Sequence, residues 1–318
     1  MKKNILYIAI ILLAALSARA QQYPLYTQSS FNNFGINPAF AGSEACIDFR
    51  AGYRLQWVGF EGRPGTAFVN GHGKIKPKVL NRRDWFMGVG GRIVSDEAGP
   101  FSSLRVELAW SIHVQLSKSV YGSFGVFSGI VQNSFNTDNL TVTFPTTLNK
   151  QTTIMGPTIT PGLLVYGKDF FVGLSIQDIA VNFFPDLVDD SITVAVGTFT
   201  NTSTHYVFKT AKNFKLSRRS ELIPSFIIRA VTGAPVNYEI NMMYSLDKNY
   251  QIGIAYRNQA AVAALLKLRL FGSLTIGFSY DYVINNLKYG TTGAYEVIIG
   301  FNSCDLGKNQ NIRCAAFN

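Results

Sequence analysis

From residue 45 to residue 302 the chain alternates apolar and polar side chains, and turns that are by rhythm short and long break the alternation. Residues 271–284 show the pattern. Leu274, Ile276, Phe278, Tyr280, Tyr282 and Ile284 share one face, and Thr275, Gly277, Ser279 and Asp281 share the other. A period of two places successive side chains on opposite faces of a strand. If one face meets lipid, every backbone N–H and C=O must be paired within the protein, which strands achieve only by closing into a barrel. Outer-membrane barrels show this dyad pattern, with short periplasmic turns and longer outer loops. The fold expected is therefore all-β, a transmembrane antiparallel β-barrel of the outer-membrane type.

Composition agrees. Hydrophobic residues make up 47% and charged ones only 15%, with 24 Phe, 15 Tyr and 28 Gly. That is sparse charge for a water-facing surface. No run beyond residue 20 approaches the length of a membrane-spanning helix. The competing architecture is soluble, two or more β-sandwich domains of a surface adhesin, because one core rarely serves 300 residues.

Residues 1–20 read as a cleaved signal peptide. Lys2 and Lys3 precede an apolar run over 5–16, and Ala18-Arg19-Ala20 fits the cleavage pattern. Removing Lys2, Lys3 and Arg19 lowers the net charge from +10 to +7. Residues 21–43 form a lead segment expected in the periplasm. Residues 44–302 form the barrel, and 303–318 a periplasmic tail. Fourteen strands are expected, near 44–57, 64–76, 84–95, 103–117, 119–133, 157–167, 169–177, 203–215, 219–230, 235–246, 249–258, 259–270, 272–284 and 292–302. Arg82, Arg83, Lys118, Lys168, Arg218, Arg219, Lys248, Lys308 and Arg313 fall at the periplasmic end. Asp96, Glu97, Asp138, Asp186, Asp189 and Asp190 fall in outer loops. A basic periplasmic rim would attract an acidic partner.

Parity assigns the lumen. Cys46, Asp48, Arg50, Gly52, Arg54 and Gln56 share one face of the first strand. Glu107, Ser111, His113 and Gln115 share one face of the fourth. Arg229, Glu239, Arg257, Lys267, Arg269, Asp281 and Glu296 follow on later strands. A charge facing lipid at mid-bilayer costs about 2–4 kcal/mol, so these faces point inward. Closure brings the first strand beside the last two, so Arg50, Arg54, Asp281 and Glu296 form a candidate ion-pair network, with Arg50 or Arg54 on Glu296.

In the lead segment, Phe31, Phe34 and Phe40 are apolar without a strand pattern, and Asn37-Pro38 signals a turn. An exposed aromatic patch of this kind marks a contact. Phe34, Asn37, Pro38 and Phe40 either tuck into the barrel as a plug or dock a periplasmic partner. The three cysteines allow one disulfide. Cys46 with Cys304 or Cys314 fits the closing seam, and Cys304 with Cys314 is the local competitor.

Chemistry-bearing motifs are missing. His72, His113 and His205 lack metal-ligand spacing, and no nucleophile elbow, phosphate loop or Cys-x-x-Cys occurs. No cofactor, metal or enzymatic activity is expected. Nucleic-acid binding is not expected either, since the basic residues are dispersed in turns.

The stretches FGINPAFAG (34–42), RLQWVGFEG (54–62), GVGGRIVSDEAG (88–99), FFVGLSIQD (170–178), IIRAVTGAP (227–235), YDY (280–282) and GAYEVIIG (293–300) resemble, in order and spacing, the PorP/SprF family of the type IX secretion system. The resemblance covers essentially 23–301. It implies an outer-membrane component of the secretion and gliding-motility machinery. It also implies association with other type IX subunits, with the C-terminal sorting domain of secreted adhesin cargo, and with peptidoglycan-linked or motor-ring proteins. The cysteines and Ala294-Tyr295 depart from the family pattern. From the residues alone, a porin or lipophile channel remains the alternative.

Overall fold

The computed structural model describes residues 25–44, 46–75, 85–136, 151–179, 204–231 and 234–303. Its strands are β1 (Asp48–Leu55), β2 (Gly65–Ile75), β3 (Trp85–Ala98), β4 (Phe101–Ser117), β5 (Val120–Asn136), β6 (Gln151–Tyr166) and β7 (Phe170–Gln177). They continue as β8 (His205–Lys212, resumed after Asn213 by Phe214–Lys215), β9 (Ser220–Val231), β10 (Asn237–Leu246), β11 (Tyr250–Arg257), β12 (Ala261–Leu270), β13 (Leu274–Val283) and β14 (Ala294–Asn302). Each strand pairs antiparallel with its sequence neighbours, and β14 pairs with β1, so the sheet closes into a 14-strand barrel. Among the described residues every strand has a partner on both sides.

Alternation decides which way each strand faces. Along β14, Ala294, Glu296, Ile298 and Gly300 are buried, and Tyr295, Val297, Ile299 and Phe301 are exposed. Leu108, Trp110, Ile252, Ile254, Tyr282 and Phe301 stand on the outer surface. Glu107, Ser111, His113, Arg257 and Asp281 stand inside. The exposed apolar band is the face a bilayer would cover.

The closing seam is set residue by residue. Arg54 lies opposite Glu296, and Asp48 lies opposite Asn302. Ile47 N donates to Ser303 Oγ, and Ser303 N donates to Ile47 O, both at 3.0 Å. At the other end the two outer loops flanking the seam are stitched together: Val58 N donates to Gly293 O at 3.0 Å and Thr292 N donates to Val58 O at 2.8 Å.

Three boundaries differ from those the sequence suggests. β3 runs to Ala98 and β4 starts at Phe101, so Asp96 and Glu97 belong to the ladder, opposite Ser103 and Ser102, and not to an outer loop. β5 and β6 extend past the lipid-facing zone, pairing Asn136 with Gln151. Ser134, Asn136, Gln151, Thr152 and Thr153 among the added residues dilute the apolar alternation without ending the ladder. The lead segment takes the plug arrangement: Thr27 through Ser43 is enclosed by the barrel wall, only Ser30 keeping partial exposure. The expected loop carboxylates Asp138, Asp186, Asp189 and Asp190 lie outside the described residues. So do Arg82, Arg83, Lys308, Arg313, the signal-peptide residues 1–20 and the tail beyond Ser303.

Candidate functional site

An irregular segment inside a barrel must give every backbone group a partner. Residues 25–43 meet much of this demand with two capped turns and the wall. The single-turn helix α1 (Asn33–Ile36) is capped by Asn32, whose side chain accepts from Gly35 N at 3.2 Å. The 3-10 turn Pro38–Phe40 is capped by Asn37, whose Oδ1 accepts from Ala39 N at 2.9 Å. Proline at the first turn position loses no hydrogen bond.

The wall then collects the segment's carbonyls. Lys209 Nζ donates to Ser29 O at 2.6 Å, and Arg92 Nη1 to Gly35 O at 2.5 Å. Ser175 Oγ and Gln177 Nε2 donate to Ile36 O. Ser123 Oγ donates to Ala39 O at 2.9 Å, and Ser111 Oγ to Ala41 O at 2.8 Å. His113 lies 4.4 Å from the Phe86 ring and stacked on it. Its Nε2 donates to Ala41 O at 2.7 Å, so Nδ1 accepts from Tyr166 OH at 2.8 Å. His113 is thus a clamp on the segment.

The four residues singled out in the lead segment all touch the wall. Asn37 also donates Nδ2 to Leu163 O at 3.0 Å and to Leu174 O at 3.2 Å, bridging β6 and β7. Gly162 makes room for it: a Cβ there would stand 2.0 Å from Asn37 Oδ1. Pro38 lies over Gly125, where a Cβ would come within 2.7 Å of its carbonyl group. Phe34 packs 5.1 Å from Phe127 and 4.6 Å from His72, and Phe40 meets Phe171 edge-on at 5.1 Å. Gly88 passes beneath Ala41, where a Cβ would come within 2.0 Å of the carbonyl oxygen.

Ionic groups girdle the outer half of the lumen. Arg54 donates to Asp281 at 2.8 Å and to Glu296 at 3.3 Å. Arg257 continues the chain to Asp281 at 3.5 Å and Glu239 at 2.8 Å, and Arg229 reaches Glu239 at 3.7 Å. The segment is tied into this girdle: Thr27 N and Gln28 N donate to Glu296 at 2.7 and 3.1 Å, and Thr27 Oγ1 to Asp281 at 2.8 Å. A second group joins Arg92 to Glu107 at 2.5 Å and Arg105 to Asp178.

Arg50 departs from expectation. It does not reach Glu296. It grips Asp48, two residues earlier on its own strand, at 2.7 and 3.0 Å, and Glu44 at 3.5 Å. The ligand-type atoms of Glu44, Asp48 and His72 lie within 4.8 Å of one another. Arg50 nevertheless holds both oxygens of Asp48, Asn302 donates to Glu44 at 2.6 Å, and Gly42 N donates to His72 Nδ1 at 3.2 Å. A metal ion would have to displace a guanidinium, so the cluster is an ion pair. Cys46 is disulfide-bonded, and Cys304 and Cys314 lie outside the described residues.

Sequence reasoning overlooked part of the wall. Parity placed Ser111 on the lumen face, and Ser175 and Gln177 fall within the stretch FFVGLSIQD, but Ser123 and Lys209 were not singled out. Ser111, Ser175 and Lys209 each lie opposite a glycine of a neighbouring strand, Gly88, Gly162 and Gly173.

A closed barrel with an apolar girdle and a polar, occupied lumen defines an outer-membrane β-barrel. Among solved structures the chain is similar to the Ralstonia pickettii toluene transporter TbuX, at 8% identity and TM-score 0.48, covering 91% of this chain and 96% of that one. It is also similar to a Pseudomonas aeruginosa FadL homologue, at 9% identity and TM-score 0.47, covering 91% and 95%. The translocator domain of the autotransporter NalP from Neisseria meningitidis follows at 10% identity and TM-score 0.41, covering 81% and 88%. Comparison with curated protein sequences gives no match. The family described as type IX secretion system membrane protein PorP/SprF matches residues 18–301, and the chain belongs to that family.

Proposed function

We propose that this protein is a non-catalytic outer-membrane scaffold. It couples secreted cargo, through an adhesin-type C-terminal sorting domain, to the type IX translocon or to a peptidoglycan-linked periplasmic motor ring. The observation that carries this reading is the occupied lumen: residues 25–43 fill the path a solute would take and are bonded to the wall around it. A barrel so filled works through its rims. The basic turns at Lys118, Lys168, Arg218, Arg219 and Lys248 offer the periplasmic rim an electrostatic preference for acidic partners. On this reading a cleaved signal peptide at residues 1–20 delivers the chain to the periplasm.

The test is recovery of partners from detergent-solubilised outer membrane, with planar-bilayer conductance in parallel. Co-purification of type IX subunits or cargo, with no steady conductance, supports the scaffold. Steady solute-selective conductance without such partners overturns it in favour of a transport channel.

A further inference from the structure

The periplasmic foot of the barrel is not uniform around its circumference. At the β12–β13 hairpin the lipid-facing column, Ala264, Leu266 and Leu270, runs without a charge into the turn at Phe271. At the feet of β4 to β8 the outward face ends in lysines, and three strand ends are tied together there. Gln115 closes the turn 117–119, its Nε2 donating to Ser117 O at 3.0 Å and to Lys118 O at 3.3 Å. The turn 167–169 abuts it: a Cβ on Gly167 would stand 3.3 Å from Ser119 O. Asn213, at the foot of β8, donates its backbone N–H to Asp169 O at 2.7 Å.

Lys118 and Lys168 occupy those two turns, and Lys212 lies opposite Phe170. All three lysines are exposed. Lys212 has outward parity, because Val207, Lys209 and Ala211 are buried positions of its strand, and its Nζ lies 5.0 Å from the centre of the exposed Phe214 ring. One carboxylate in these turns, Asp169, stands against the three lysines. Above them runs an apolar strip: Leu116 covers Gly122, which pairs with Val165, which pairs with Val172. Leu116, Val165 and Val172 are exposed on the outer face. A lysine at the foot of such a strip lays its stem along hydrocarbon and sets its ammonium at headgroup depth. Excess cations at that depth attract anionic headgroups.

We propose that this arc retains an anionic phospholipid of the periplasmic leaflet. The phosphate sits among Lys118, Lys168 and Lys212, and the acyl chains lie along Leu116, Val165 and Val172. The lipid takes the membrane-facing side of the turns and leaves Arg218 and Lys248 on the rim to other partners, so failure of this inference and failure of cargo coupling are separate results.

The test is native mass spectrometry of the full chain in neutral detergent, titrated with an equimolar mixture of phosphatidylglycerol and phosphatidylcholine bearing the same acyl chains. Phosphatidylglycerol adducts are expected to exceed phosphatidylcholine adducts by about fivefold or more, the preference that one cation near the surface supplies. Combining Lys118→Gln, Lys168→Gln and Lys212→Gln should bring the ratio close to one. Combining Arg63→Gln, Lys248→Gln and Lys288→Gln removes three other exposed cations and should leave the preference in place. Heat-modifiable gel mobility checks that each variant is folded, and the wild-type ratio needs no variant. Equal adducts on the wild type, the outcome if the lysines serve an acidic protein instead, overturn the proposal. A preference that survives the triple lysine variant overturns it, and so does one that falls equally in the control, as attraction by overall charge would give.

Discussion

Arg54 carries the largest single burden among the lumen side chains. It is 2% exposed and faces Asp281 and Glu296, both enclosed. Removing one partner from a buried ionic group costs about 3–5 kcal/mol, because the remaining charges lose their counter-ion. Arg54→Met is therefore expected to lower the urea-unfolding free energy in lipid vesicles by that amount. A change under about 1 kcal/mol would show the pair to be solvated instead. The pairing of Arg54 with Glu296 was legible in the sequence, since both residues face inward on strands that closure makes neighbours. The partner of Arg50 was not. Parity places Asp48 and Glu296 equally well for it, and only side-chain reach selects the carboxylate on its own strand. At the periplasmic surface, the Arg219 guanidinium, bonded at 2.6 and 2.5 Å, holds Asp247 below its ordinary carboxylate value. The folded value is depressed, so this pair contributes above the ordinary range and fades as pH falls through the lowered value. Arg219→Ala should return Asp247 to an ordinary titration by carboxyl-resolved NMR, without measurable loss of barrel stability near neutral pH.

The strands were readable as elements because lipid imposes a period of two on every one of them. Their ends were less so: β3, β5 and β6 continue where polar residues such as Asp96, Ser134, Asn136 and Gln151 interrupt the apolar alternation. The enclosed segment was harder still. Its aromatics marked it as something other than a linker, but an irregular stretch has no period, and its hydrogen-bond partners are spread over many strands. Glycines now define its bed. Gly88→Val is expected to lift the Ala41 carbonyl off the wall. Hydrogen exchange should then quicken at Ala39, Ala41 and Gly42 while the β3–β4 ladder stays protected, and unchanged exchange at those amides would refute the fit. The seam yields a second expectation. Ile47 and Ser303 are mutually bonded, and the same register carried one residue further predicts that Cys46 faces Cys304. Non-reducing peptide mapping should recover Cys46 linked to Cys304, and a Cys46–Cys314 peptide would contradict the register.

For the whole molecule, the balance of girdle and enclosed segment predicts electrical silence. The intact protein should give no steady current in planar bilayers. Deleting residues 26–43 should produce one, because the wall of Ser, Gln, Arg and Glu side chains then faces water across an open lumen. Equal conductance of the two forms would show that the segment does not seal. The route of the segment also governs how the barrel is made. Thr27 bonds to Glu296 across 269 positions of sequence, while the same segment runs directly into β1, the strand that β14 must find. Contacts of such separation form late. The sheet therefore has to remain an open, curved ribbon with its first strand unmated until the last strand has been synthesised and inserted, and the segment must already be inside when the two edges meet. Closure then acts as a one-way latch. A chain that zips its edges too early is left with residues 25–43 outside, and no small motion of the finished barrel can bring them in.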